Sequence, residues 1–180
     1  DQEGVLLAHL DLALIERARG DFAAMRVHAE AALPIAVEVF GEAHLYTAAA
    51  RAVRSTALLG LGDLALAERD AEAAVAAIEA TYGKDSVWLS EVIDARADIR
   101  RAQGRLADAR ADLERVLGLV DARNAPLQRA KLEFLLAQVL WDLDQDRGRA
   151  RALAETALAT FTRAGAAPDM KKVGAWLRAR

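Results

Sequence analysis

Glu91, Asp94, Asp98 and Arg101 are ionisable side chains whose spacing brings them together. Steps of three and four residues put them on one face of a helix. Paired carboxylates there could move a proton or grip a basic ligand. Nothing in the surrounding sequence suggests the closed, dry pocket that acid–base catalysis needs. The four residues therefore read as a binding face, or as a solvated face with internal ion pairs. His9, His28 and His44 show no metal-ligand spacing with one another or with nearby carboxylates. The stretch Asp142-Leu143-Asp144-Gln145-Asp146-Arg147-Gly148 opens like a calcium loop. Counted from Asp142, Arg147 falls where the loop needs Gly, and Leu153 falls where it needs a bidentate Glu, so it reads as a charged helix connection. The chain has no Cys, which removes thiolate and disulfide chemistry. It also lacks a Gly-rich loop before a strand, a His-Arg-Asp loop and an Asp-Phe-Gly motif. We read it as non-catalytic, with no cofactor and no metal.

The elements that must position these residues follow from three glycines. Gly20, Gly62 and Gly104 stand 42 residues apart, and each opens a similar stretch. The positions five, nine and twelve residues on are Met25, Ala29 and Ala32; Ala67, Ala71 and Ala74; then Ala109, Leu113 and Val116. A fourth copy runs one residue early from Gln145, with Ala150, Ala154 and Ala157. A period in this range marks stacked supersecondary units. Apolar residues at helical spacing on both sides of each glycine predict two helices per unit. The glycine ends one helix, and Asp21 or Asp63 caps the next. The repeats span about 5–40, 43–82, 86–122 and 126–164, with a last helix over 169–179. Pro34 lies inside a predicted helix and is expected to kink it. The fold class is all-α, one domain over residues 1–180.

Composition agrees. Apolar residues make up 54 % of the chain and aromatics 5 %, while Ala supplies about a quarter of all residues. Small side chains let helix axes approach closely. Net charge is −3 with both signs mixed, which gives no basic field for nucleic acid. No apolar run is long enough to span a bilayer, and no signal-peptide pattern opens the chain. A first residue other than Met points to a piece of a longer protein, and the expected location is cytoplasmic. Trp88, Trp141 and Trp176, each among apolar neighbours, read as core residues.

The Gly-x-aromatic or Leu step followed by small residues resembles the tetratricopeptide repeat (TPR). The 42-residue period and the turn Phe40-Gly41-Glu42-Ala43-His44 resemble the kinesin-light-chain-like subclass. Tyr82-Gly83-Lys84-Asp85-Ser86 matches that turn in part. The resemblance implies a right-handed α-α superhelix of four helix pairs, closed by a C-terminal capping helix. Arg96 and Arg100 depart from the apolar residues usual in the first helix of a pair, which loosens the register there. A further stretch, from Phe134-Leu135-Leu136-Ala137 to Val173-Gly174-Ala175-Trp176-Leu177, resembles the end of repeat regions behind bacterial eukaryote-like Ser/Thr protein kinases.

In this repeat class the first helix of each pair lines a concave groove. The corresponding slots are Leu7, Leu10, Leu14 and Arg17; Ala49, Ala52, Thr56 and Leu59; Glu91, Asp94, Asp98 and Arg101; and Leu132, Leu135, Val139 and Asp142. That face is apolar with an acidic middle, so the expected ligand is an apolar or basic peptide or partner protein. The expected function is a protein-interaction scaffold, in the setting of a kinase its substrate-docking or regulatory region. The alternative is self-association, with exposed Leu of the first or last pair docking onto a second copy as a homodimer. Neither nucleic acid nor membrane is expected as a partner.

Overall fold

A computed structural model describes residues 1–180. The chain is helical throughout: α1 (Gln2–Arg19), α2 (Phe22–Phe40), α3 (Leu45–Gly60), α4 (Leu64–Tyr82), α5 (Ser90–Ala102), α6 (Leu106–Leu117), α7 (Pro126–Asp142), α8 (Arg147–Ala164) and α9 (Ala167–Arg178). This is the α-α solenoid class that the period predicts. No helix is long and apolar enough to cross a membrane.

The repeated glycines act as the spacing requires. Gly20, Gly62 and Gly104 take positive φ of 77°, 84° and 76°, a region that costs a residue with a Cβ. Each is followed at once by the N-cap residue of the next helix, and the Asp21 and Asp63 carboxylates accept from Ala24 N–H (2.9 Å) and Leu66 N–H (3.2 Å). Counted from those caps, the small-residue slots hold in every copy. Met25, Ala29 and Ala32, Ala67, Ala71 and Ala74, Ala109, Leu113 and Val116, and Ala150, Ala154 and Ala157 are all fully buried.

The fourth copy differs in its turn. The left-handed residue is Asp144 (φ 54°), not Gln145, and Asp146 (φ 49°) caps α8 by accepting from Arg149 N–H at 3.0 Å. The step from left-handed residue to cap is therefore one residue longer than in the other copies, and α8 keeps its register from its own cap. Asp tolerates this conformation better than most residues because its short side chain bonds locally.

Two predicted boundaries move. The third repeat opens with a 3₁₀ turn at Val87–Leu89, whose cap is Ser86, before α5 begins at Ser90. α6 stops at Leu117 instead of running to about Ala122. Gly118 weakens the helix there and the chain tightens, with Leu119 N–H donating to the Val116 carbonyl. α2 continues through Pro34 to Phe40, and Pro34 sits on its exposed side.

The chain divides into two compact units, Asp1–Gln103 and Gly104–Arg180. In the first, α1 packs on α2, α2 on α3, α3 on α4 and α4 on α5, while α5 also meets α3. Its core is built around Leu6, Ala32, Ala36 and Ala50, then Ala13, Met25 and Ala57, then Leu58, Ala67, Ala71 and Ile99. In the second unit α7 packs against α6 and α8, and α9 packs against α8. The Trp176 ring meets Phe134 (5.8 Å) and Trp141 (5.6 Å) edge to face, and the Arg180 guanidinium lies 4.7 Å from the Trp176 ring centroid.

Candidate functional site

Within the first unit, three helices present the slots that line the proposed face. α1 contributes Leu7 and Leu14, 38 % and 49 % exposed, and the exposed Arg17. Leu10 is half-buried against the Leu6 cluster. α3 contributes Thr56 and Leu59, both half-buried. The Thr56 hydroxyl donates to the Ala52 carbonyl at 3.0 Å, and Leu59 leans on the Leu58 cluster. Ala52 is buried, so it shapes the floor and offers almost no surface. α5 contributes Glu91, exposed, with Asp94, Asp98 and Arg101 half-buried.

Electrostatics tie these helices together. Desolvation pushes the Asp94 carboxyl up to about 6, and the Asp98 and Glu91 carboxylates add to the rise. The Arg17 guanidinium and the Ala95 N–H, which donates to the Asp94 carboxylate at 2.8 Å, oppose it. Arg17 and Asp94 are far apart in sequence, yet the field of one acts on the other across α1 and α5. α1, with its exposed leucines, and α5, with its acidic strip, both pack on α3. Such a face can take a segment that is apolar along one edge and cationic along another.

The second unit contributes less than the slots suggest. Val139 is completely buried and Leu135 nearly so, and only Asp142 is exposed. α7 is apolar almost all round, with Leu132, Phe134, Leu135, Leu136, Ala137, Val139 and Leu140 all buried. A helix of that kind is covered on every side, so Leu135 and Val139 have no surface left for a partner.

Several polar residues serve structure. His44 caps α3, its Nδ1 accepting from Tyr46 N–H at 3.2 Å while Phe40 stacks on its ring at 4.6 Å. Asp144 pairs with Arg147 at 2.7 Å, and Asp146 spends its carboxylate on the α8 cap. Arg96 and Arg100 both hold Glu72 of α4, at 3.0 and 2.7 Å, so α5 keeps its repeat register with ion pairs in place of apolar contacts. Burial alone would raise the Glu72 carboxyl, and those two guanidiniums outweigh it and hold it below its ordinary value. Trp88 departs from the core expectation: it lies in the 3₁₀ turn and is exposed.

Two pairs have no counterpart in the sequence reading. Arg54 of α3 grips the buried Asp70 of α4 with two bonds, Nε at 2.6 Å and Nη2 at 2.8 Å. The hydrogen bond to Asp70 raises the Arg54 pKa. Arg54 and Arg96, like Asp70 and Asp112, stand 42 residues apart and all sit in low-exposure slots, a periodic charge signal that was there to be read. In the first pair the slot of Asp70 holds His28, and its Nδ1 lies 3.2 Å from Nδ1 of His9.

No family model matches the chain, and no curated protein matches it. Solved structures do. BtubC (BKLC) from P. vanneervenii is similar at TM-score 0.67 and 17 % identity, over 92 % of this chain. This chain spans 66 % of that one. A kinesin light chain-like protein from Podosopora anserina, with nearly identical TPR-like repeats, is similar at TM-score 0.67 and 17 % identity. The match covers 97 % of this chain and 93 % of that one. A single-substitution variant of it is similar at TM-score 0.65 over the same shares. With its helices, its turns and its buried small-residue slots, the chain has the fold of a TPR-like repeat protein.

Proposed function

We propose that this protein is a non-catalytic scaffold that binds a protein or peptide on the inner face of its first unit. The observation that carries the reading is the pairing of exposed Leu7 and Leu14 on α1 with Glu91, Asp94 and Asp98 on α5. TPR-like folds generally serve protein–protein interaction, and a stacked helical face suits an extended or helical peptide. The preferred ligand is cationic and amphipathic. In the same reading the chain is a cytoplasmic substrate-docking or regulatory region of a bacterial Ser/Thr kinase, a role supported by the resemblance of residues 134–177 alone. A parent polypeptide without the kinase loop motifs would remove that role and leave the binding face untouched.

The test uses two labelled helical peptides of equal length, one of Leu and Lys, the other of Leu and Glu, with binding read by fluorescence anisotropy. The Leu/Lys peptide is expected to bind, and the Leu/Glu peptide to bind at least about tenfold more weakly, a difference of about 1.4 kcal/mol. Asp94→Lys or Leu14→Asp should each weaken the Leu/Lys peptide by a similar factor. Equal binding of both peptides, or binding that ignores both substitutions, would sink the proposal.

A further inference from the structure

The leading edge of α1 stands open where its equivalents are buried. Val5, Leu12 and Ile15 are 47 %, 40 % and 47 % exposed, and Ala8 between them is exposed too. Steps of three and four residues make them one stripe. The same slots one period on are Thr47, Ala50, Arg54 and Ala57 of α3. Thr47, Ala50 and Ala57 are fully buried, and Arg54 is bonded to Asp70. Two periods on they are Leu89, Val92, Arg96 and Ile99, all buried.

The preceding helix pair packs on the apolar slots, while Arg54 is held by Asp70 of α4 in its own pair. Ala50 packs with Ala32 and Ala36 of α2 and with Leu6 of α1. Ala57 packs with Met25 of α2 and Ala13 of α1. Ile99 packs with Ala67 and Ala71 of α4 and with Leu58 of α3. In each case the second helix of the preceding pair offers mostly alanine from one face, which lets the axes close up. α8, by contrast, is covered by α9, whose exposed Lys171, Lys172 and Arg178 are charged.

We propose that the Val5–Ala8–Leu12–Ile15 stripe is an unfilled repeat interface. Its occupant is a helix pair of this same 42-residue design, joined ahead of α1 in the polypeptide, whose second helix turns small side chains onto the stripe. The bulk of Val, Leu and Ile complements an alanine face, as Ile99 does against Ala67 and Ala71. Asp1 falls in the slot of Ala43 and Asp85, so a copy of residues 43–84 placed directly ahead of it keeps the 42-residue register.

The test duplicates residues 43–84 and fuses the copy directly ahead of Asp1. The chain has no Cys, so Leu12→Cys supplies a single thiol reporter. Its reaction with a maleimide is expected to slow at least about tenfold in the extended protein, by the population of open states. Leu14→Cys, on the other face of α1, should react alike in both. The thermal midpoint of the extended protein should rise by about 5 °C or more, and Leu12→Lys should abolish that gain while leaving the unextended chain unchanged. Equal Leu12→Cys rates in the two proteins, or a gain that survives Leu12→Lys, overturns the proposal. So does sedimentation of the unextended chain as a dimer at about 50 μM that Leu12→Lys dissociates, because a second copy then fills the stripe.

Discussion

At Gly60 one missing methyl group decides the packing of two helices. A Cβ there would overlap the ring of Phe22, which comes from the start of α2 and lies over the end of α3. Gly60→Ala must push that ring aside, and overpacking of this sort costs about 1–3 kcal/mol. Chemical denaturation should show the loss, and Phe22→Leu in the same chain should recover part of it. Asp94 is the second residue with a testable consequence. Its folded pKa, about 6, lies above the ordinary 3.8, so the folded state holds its proton more tightly than the unfolded one. Ionisation therefore opposes folding: the penalty is absent below about pH 4, grows between pH 4 and 6, and is complete above pH 6. Asp94→Asn should stabilise the protein by about 1–2 kcal/mol at pH 7.5 and by nothing measurable at pH 3.5. Neither effect could be read beforehand, because Phe22 and Gly60, like Arg17 and Asp94, meet only after the pairs stack.

At the scale of the elements, the turns carry the lesson. The turns inside the first three helix pairs use glycine at positive φ, and the turn inside the fourth uses Asp144. Asp144 pairs with Arg147 on the surface, where such a pair contributes little. Asp144→Gly should therefore be neutral or stabilising by up to about 1 kcal/mol, while Gly62→Ala, forced into the same region, should cost about 1 kcal/mol. Thermal midpoints of the two variants measured side by side would check the contrast. The identity of the helices, their caps and their buried slots were legible in the spacing. The one-residue shift in the fourth turn was visible in sequence as a broken period. Its cause was not, since Asp144 and Gln145 both look like turn residues until φ assigns the left-handed place.

At the scale of the whole molecule, acid should act through ion pairs that join helices inside each unit. Glu72 links α4 to Arg96 and Arg100 of α5, and Glu114 of α6 is held by Arg110 and by Arg149 of α8 at 2.7 Å. Both carboxyls lie below their ordinary value: burial is outweighed at Glu72, and the hydrogen bond from Arg149 leads at Glu114. Their stabilisation is present above about pH 4.5 and is lost as pH falls through the lowered folded values. The thermal midpoint should drop from pH 5 to pH 3, and more steeply in Asp94→Asn, which lacks the opposing gain from protonating Asp94. A flat profile in Asp94→Asn would show that these pairs contribute nothing.

By itself the sequence determined the helix-pair period and the buried small-residue slots, and it grouped the candidate binding slots by face, because each depends on residues a few positions apart. Helical geometry turns such spacing directly into a face. The tertiary structure alone decided which of those slots keep a surface. Leu7 and Leu14 stay open, while Ala52, Leu135 and Val139 are covered by neighbours that no local pattern specifies. It also decided that Asp94 sits within the field of Arg17, and that the α1 edge lacks the cover its equivalents receive. Burial and field are set by distant chain, and a repeat reads the same at its ends as in its middle until packing separates the two.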